Sequence, residues 1–360
     1  MEISRATQVL GCRRTQDPAA PPTFLAAEPT LGEQRSMPDP MLLLTAGAVS
    51  ALLSTALTLL LGRPTAAPRP VQIEIGSVLG VVLGFYLGCW ILGITIGWPL
   101  PSRERAQDLD RLLLVVIPAV ALSELLAAVP GKFRFVAWLI RLLIVLGTVR
   151  VLLDGSVYIT DVAGPGTREW TAGDAMWVFV GSATALAAAW GSLGKLSLRS
   201  RARSLPLVLV ASCVGAALCV MLSGYARGGQ IGIPLAGAIV GASIASLVLK
   251  NPVAPAGVIG IGTVGLFAIL VVGRFYGSLG TLNAVLLFFG PVCCWLLEVP
   301  PRFIGVARLG LVSCLVLIAV VFAGRKFVED SAAMSNSATR VPAASGPREV
   351  TAEDYLNYGT

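Results

Sequence analysis

Two charged residues lie where an apolar chain should have none. Glu124 sits in "PAVALSELLAAVP" and Arg141 in "FVAWLIRLLIVLG". The turn between them centres near Lys132, with Glu124 eight residues before it and Arg141 nine after it. At about 1.5 Å per residue, both stand roughly 12–14 Å from that turn. An antiparallel hairpin therefore sets them level. A lone charge at a bilayer centre costs about 2.5–3.5 kcal/mol, so the two are expected to pair. Such a pair either fixes the register of a bundle or serves a proton- or ion-coupled carrier. Pro118 in the same stretch lacks a backbone donor and predicts a kink. The hairpin also brings Asp110 and Arg111 near Arg150 and Asp154 at the opposite surface.

A second set of residues suits an anion. "SGYARGGQ" begins at Ser223 and "VGRFYGSLG" at Val272; Gly224 and Gly273 are 49 residues apart, as are Gly228 and Gly277. Each stretch joins two apolar runs, which suggests a parallel hairpin repeat, 205–250 and 256–297. These turns share one surface with "DGSVYITDVAGPGTREWT". Arg227, Arg274, Tyr225, Tyr276 and Arg168 form the candidate mouth there. Two arginine forks beside exposed backbone N–H groups match phosphate or carboxylate. Ordinary interfacial anchoring is the competing explanation.

Other chemistries are poorly supplied. The chain has no histidine, which removes histidine metal sites, haem ligation and histidine-activated nucleophiles. Its seven cysteines contain no C-x-x-C. No metal site, cofactor, phosphate loop or dinucleotide fingerprint is expected. A membrane transferase would have to use loop carboxylates such as Asp161 and Glu169, and the balance leans against an enzyme.

The elements that must carry these groups follow from composition. Of 360 residues 55% are hydrophobic and 13% charged, with a net charge of +7, and the mean hydropathy is +0.80. A soluble domain could not hide that much apolar surface. The basic residues fall in short turns, as topology signals do, and no basic stripe with interleaved aromatics points to nucleic acid. The expected fold is all-α: a polytopic transmembrane bundle of about ten spans, at 41–61, 77–98, 112–130, 135–153, 175–193, 205–224, 231–250, 256–273, 281–297 and 306–323. Tryptophans near the span ends, Trp190 among them, are expected in the interfacial belts. The four basic residues of "KLSLRSRAR" and their neighbours favour that side as cytoplasmic, which puts both termini outside.

Three domains result: a disordered tail, 1–40, with Met37 or Met41 as a competing start; the bundle, 41–324; and a flexible tail, 325–360. Glycine recurs every fourth residue at Gly76, Gly80, Gly84 and Gly88, and again at Gly237 and Gly241. In lipid, small residues admit the close helix approach that burial alone does not drive. The ridges are expected either to pack within one chain or to join copies or a protein partner.

The order "SVYITDVAGPGTREW", "MLSGYARGGQ", "GRFYGSLGTLNA" and "GPVCCWLLEVP" resembles a group of multi-pass membrane proteins of planctomycete-type bacteria. The resemblance covers most of residues 77–328. It implies a bacterial cytoplasmic membrane and carries no activity. The functional expectations are a transporter-like or lipid- or anion-handling protein, a non-catalytic scaffold or complex subunit, and, third, a membrane-embedded transferase. The partners they imply are the bilayer, a small anionic ligand or lipid, and a second copy or protein held through glycine faces or the C-terminal tail.

Overall fold

The computed structural model describes residues 39–63, 69–94, 108–129, 131, 133–154, 156, 158–159, 170–198, 204–249, 255–296 and 304–339. Every regular element among them is helical: α1 (Pro40–Leu61), α2 (Arg69–Ile91), α3 (Asp108–Arg111), α4 (Ile117–Ala128), α5 (Phe133–Leu152), α6 (Ala172–Ser197), α7 (Leu205–Leu222), α8 (Ala226–Gln230), α9 (Gly232–Val248), α10 (Ala256–Phe275), α11 (Thr281–Phe289) and α12 (Ile304–Thr339). Counting α3 with α4 and α8 with α9, nine of these described helices are long and apolar enough to cross a membrane. The chain is an all-α, multi-pass membrane protein.

Where the elements differ from expectation, proline and glycine account for most of it. The ninth apolar run, 281–297, does not form one long helix. α11 stops at Phe289, before Gly290 and Pro291, and a 3₁₀ turn, Val292–Trp295, carries the run onward. Pro291 has no N–H to continue an α ladder. Pro118 acts one turn upstream: residues Leu112–Val116 widen into a π turn, and the Tyr86 hydroxyl donates to the Leu113 carbonyl within it. At the C-terminus, α12 continues to Thr339, so the first part of the expected flexible tail is helix.

α2 is the consequential revision. It begins at Arg69 rather than 77, and so takes Glu74 into the bundle.

The glycine ridges are occupied inside the chain. α1 presents Ala46, Ser50, Ser54 and Thr58, all buried, at a spacing of four. α2 lies antiparallel on them: a Cβ at Gly84 would stand 2.6 Å from the Ser50 carbonyl, and one at Gly80 2.8 Å from the Ser54 carbonyl. Gly76 faces Leu61, and Gly88 faces Ser50 and Pro234. The adjacent face of α1 meets α9, where Gly237 lies on the Gly47 carbonyl and Gly241 on that of Ala51. The contacts 47 to 237, 51 to 241 and 62 to 249 rise together, so α1 and α9 run parallel. Hydroxyls join the three rods: Thr55 donates to the Gly241 carbonyl at 3.0 Å and Thr58 to that of Gly76 at 3.3 Å. Hence Gly76, Gly80, Gly84, Gly88, Gly237 and Gly241 are not open to a partner; the space above each is filled by the same chain.

The bundle therefore has an Asp39 end and a Gly62 end. α10 runs from the Gly62 end through the middle, and residues 257–273 are buried without interruption. Both candidate sites form on this helix, one at each end.

Candidate functional site

The first turn of any helix leaves backbone N–H groups without partners. At α10 these are supplied from another helix. The Glu74 carboxylate accepts from the Ala256 N–H at 3.1 Å through Oε2 and from the Gly257 N–H through Oε1. A negative group here also meets the positive end of the helix dipole. The expected spans left Glu74 outside the second helix. The signal that could have found it was a lone acid, "VQIEIG", two residues ahead of the glycine ridge. Its partner lies 182 residues away, beyond the reach of local pattern.

Gly257 and Gly260, one turn apart, leave a bare trough on the same helix end. Glu124 lies in it. A Cβ at Gly257 would stand 3.0 Å from Glu74 Oε1 and 3.2 Å from Glu124 Cβ. One at Gly260 would strike the Glu124 carboxyl, 2.7 Å from its carbon, and reach Trp190 Nε1 at 3.0 Å. Arg141 crosses from α5 and donates to Glu124 Oε2 at 2.6 Å. Glu124 is 2% exposed, whereas the Arg141 side chain keeps 34% of its surface open.

The Arg141 guanidinium carbon also lies 5.5 Å from the centre of the Trp190 ring. Trp190 is thus buried beside the ion pair rather than standing in an interfacial belt. Two atoms of the pair stay unmatched: Glu124 Oε1 and Arg141 Nε are buried without a hydrogen-bond partner. The Trp190 N–H borders the same space.

The Asp39 end holds the candidate mouth. Tyr225 stacks on Tyr276 with centroids 6.2 Å apart, and the Tyr276 hydroxyl donates to the Leu152 carbonyl at 3.0 Å. The Ser278 N–H donates to the Ser223 carbonyl at 3.0 Å, so the two glycine-rich turns touch. They are not alike in detail. Gly224 turns at φ +88°, while its counterpart Gly273 is helical. The tyrosines therefore serve packing. Arg227 is exposed on α8. Arg168, Asp161 and Glu169 lie outside the described residues. Beside the mouth, Asp154 gathers Arg150 at 2.7 Å and Arg111 at 3.7 Å, the expected surface charge cluster.

Arg274 has a different setting. Its Nε donates to Thr281 Oγ1 at 3.0 Å, which holds the guanidinium at the rim of a groove between α6, α10 and α11. The groove has a volume of about 560 Å³. Phe267, Leu270, Val271, Phe288 and Phe289 make its wall, and Trp170 and Trp177 stand with Arg274 in its lining. On α6 the wall is thin, since a Cβ at Gly181 would meet nothing within 4 Å. Aromatic and aliphatic surface with one cation at the edge can hold a molecule that is oily along its length and anionic at its head.

No family model and no curated protein sequence matches this chain.

Proposed function

We propose that this multi-pass membrane protein is a transporter-like, lipid- or anion-handling protein of a bacterial cytoplasmic membrane, and that its ligand is an anionic amphiphile. The groove between α6, α10 and α11 carries the reading. Its volume falls within the range of ligand sites, roughly 300–1,000 Å³. Arg274 lies one residue from the end of α10, the depth at which a lipid phosphate sits when its chain runs along Phe267 and Leu270. An arginine fork matches a phosphate oxygen pair better than a point charge does. Tryptophans at the groove mouth suit the same interfacial layer. α6 ends at Ser197, where the basic "KLSLRSRAR" stretch begins; with that side taken as cytoplasmic, the groove lies in the outer half of the membrane and both termini lie outside.

Native mass spectrometry of the full chain, released from detergent, tests this. The expected result is co-purified anionic phospholipid, enriched over the bulk membrane and reduced several-fold in Arg274→Gln and in Gly181→Leu. Equal lipid composition in the three proteins overturns the reading. Movement of the ligand, as opposed to holding it, is measured as flux in proteoliposomes, where Glu124→Gln is expected to abolish coupling.

The scaffold reading has one observation in its favour. α12 is about 54 Å long and carries an exposed stretch, residues 325–333, past the bundle. A protein partner that co-purifies with the chain and is lost on deletion of 331–360 would favour it.

A further inference from the structure

We propose that Glu124 is a reversible proton-binding site of this bundle, with Glu74 as a neighbouring carboxyl held on the α10 terminus and Arg141 as an ion-pair partner that protonation releases. The inference stands on the Gly62 end of α10 and is independent of the groove at the other end.

The argument is a count of charges and of hydrogen bonds. Glu74 from α2 and Arg141 from α5 are the charged groups that reach Glu124. α6 contributes the neutral Trp190 there, and its Lys195 is exposed beyond it. Arg134 of α5 is likewise exposed. α10 brings only backbone, because Gly257 and Gly260 have no side chain. Two carboxyl groups thus face one guanidinium.

Glu74 is committed as an acceptor, since both of its oxygens take backbone N–H groups. The adjustable member is Glu124. Its Oε2 is held by Arg141, while its Oε1 is buried and accepts nothing. A buried anionic oxygen without a donor is costly. A proton on Oε1 removes the excess negative charge and turns the orphan acceptor into a hydroxyl.

The step balances simply. One O–H bond forms, the proton comes from water at the Gly62 end and returns to it, and no electron moves. The route is short, because α4 ends four residues after Glu124, about 6 Å along the axis. Arg141 keeps the Trp190 ring beside it when the ion pair weakens.

Difference infrared spectroscopy of the full chain in nanodiscs, stepped in pH, tests this without a substrate. The expected signal is the C=O stretch of one protonated carboxylic acid per chain, which disappears as pH rises. It is absent in Glu124→Gln. In Glu74→Gln the band remains, because Glu124 keeps its carboxyl. Trp190 fluorescence follows the same transition, and Trp190→Phe abolishes that change. Should Glu124→Gln fail to fold, Glu124→Asp keeps a titrating carboxyl whose band shifts in frequency. A band unchanged in Glu124→Gln or in Glu124→Asp, or no titrating carboxyl band in folded wild-type protein, overturns the proposal.

Discussion

The two ends of α10 solve opposite problems with one helix. At the Ala256 end the helix surface is bare glycine, and neighbouring helices fill it: Glu124 lies in the trough, and Glu74 closes the terminus. At the Arg274 end the surface is phenylalanine, leucine and valine, and the neighbours leave a groove. Small residues draw polar side chains from elsewhere into contact with backbone. Large residues on α10 and α11 line a space that α6 leaves open at Gly181. The first arrangement makes a closed, charged centre that only something as small as a proton or a water enters. The second makes room for a molecule with a chain. In lipid the contrast is sharper than in water, because no solvent fills a polar gap at the first end and lipid readily fills the apolar gap at the second.

The largest predicted effect removes the first end altogether. Gly260→Leu drives a side chain into the Glu124 carboxyl. Breaking the pair costs about 3–5 kcal/mol and overpacking about 1–3 more, so thermal unfolding in detergent should show little or no folded protein. Arg141→Leu comes next. It leaves Glu124 buried and unpaired at a cost of about 3–5 kcal/mol, most of which the double variant Glu124→Leu/Arg141→Leu should recover in a double-mutant cycle.

Glu74→Gln is milder. It keeps one acceptor for the α10 terminus and loses the charge, for about 1 kcal/mol of stability by the same assay. The smallest effect belongs to the open end. Gly181→Leu should shift unfolding by no more than about 0.5 kcal/mol in lipid-free detergent. It should also erase the stabilisation that added anionic lipid gives the wild type, which grows as RT ln(1 + [L]/Kd). Equal sensitivity at the two ends would mean that the contrast between them has no energetic content.

How much of this the chain declares in advance depends on the distance between partners. Glu124 and Arg141 share one hairpin, so counting outward from Lys132 is enough to suggest that they meet. Asp154 and Arg150 are a helical turn apart, and the same hairpin brings in Arg111. Tyr225 and Tyr276 lie one in each of the two glycine-rich turns, and they stack. Glu74 is different. Nothing local distinguishes a helix-capping acid from an interfacial one when the capped helix starts 182 residues later.

The glycine spacing identifies a contact face but not what lies on it, because every helix in lipid is equally oily. The groove was invisible for a related reason. It lies between α6, α10 and α11, helices far apart in the chain, beside the break at Gly290–Pro291, and summed hydropathy records neither. Trp190 was misplaced because an indole near a helix end is equally consistent with a headgroup layer and with a cation to cover.

The parallel seam between α1 and α9 has a consequence for biogenesis. α1 leaves the ribosome ahead of α2 and α9, and its polar ridge of Ser50, Ser54 and Thr58 has α2 to lean on at once. Thr55, however, waits for the Gly241 carbonyl, 186 residues downstream. At bacterial rates of about 5–20 residues per second, that interval is on the order of ten seconds or more. For that time the leading hairpin drifts in the membrane with one flank unsealed, and the late arrival of α9 locks it in place. Chaperoning by the insertion machinery, or by a neighbouring lipid, therefore matters most for α1 and α2 while α9 is still to come.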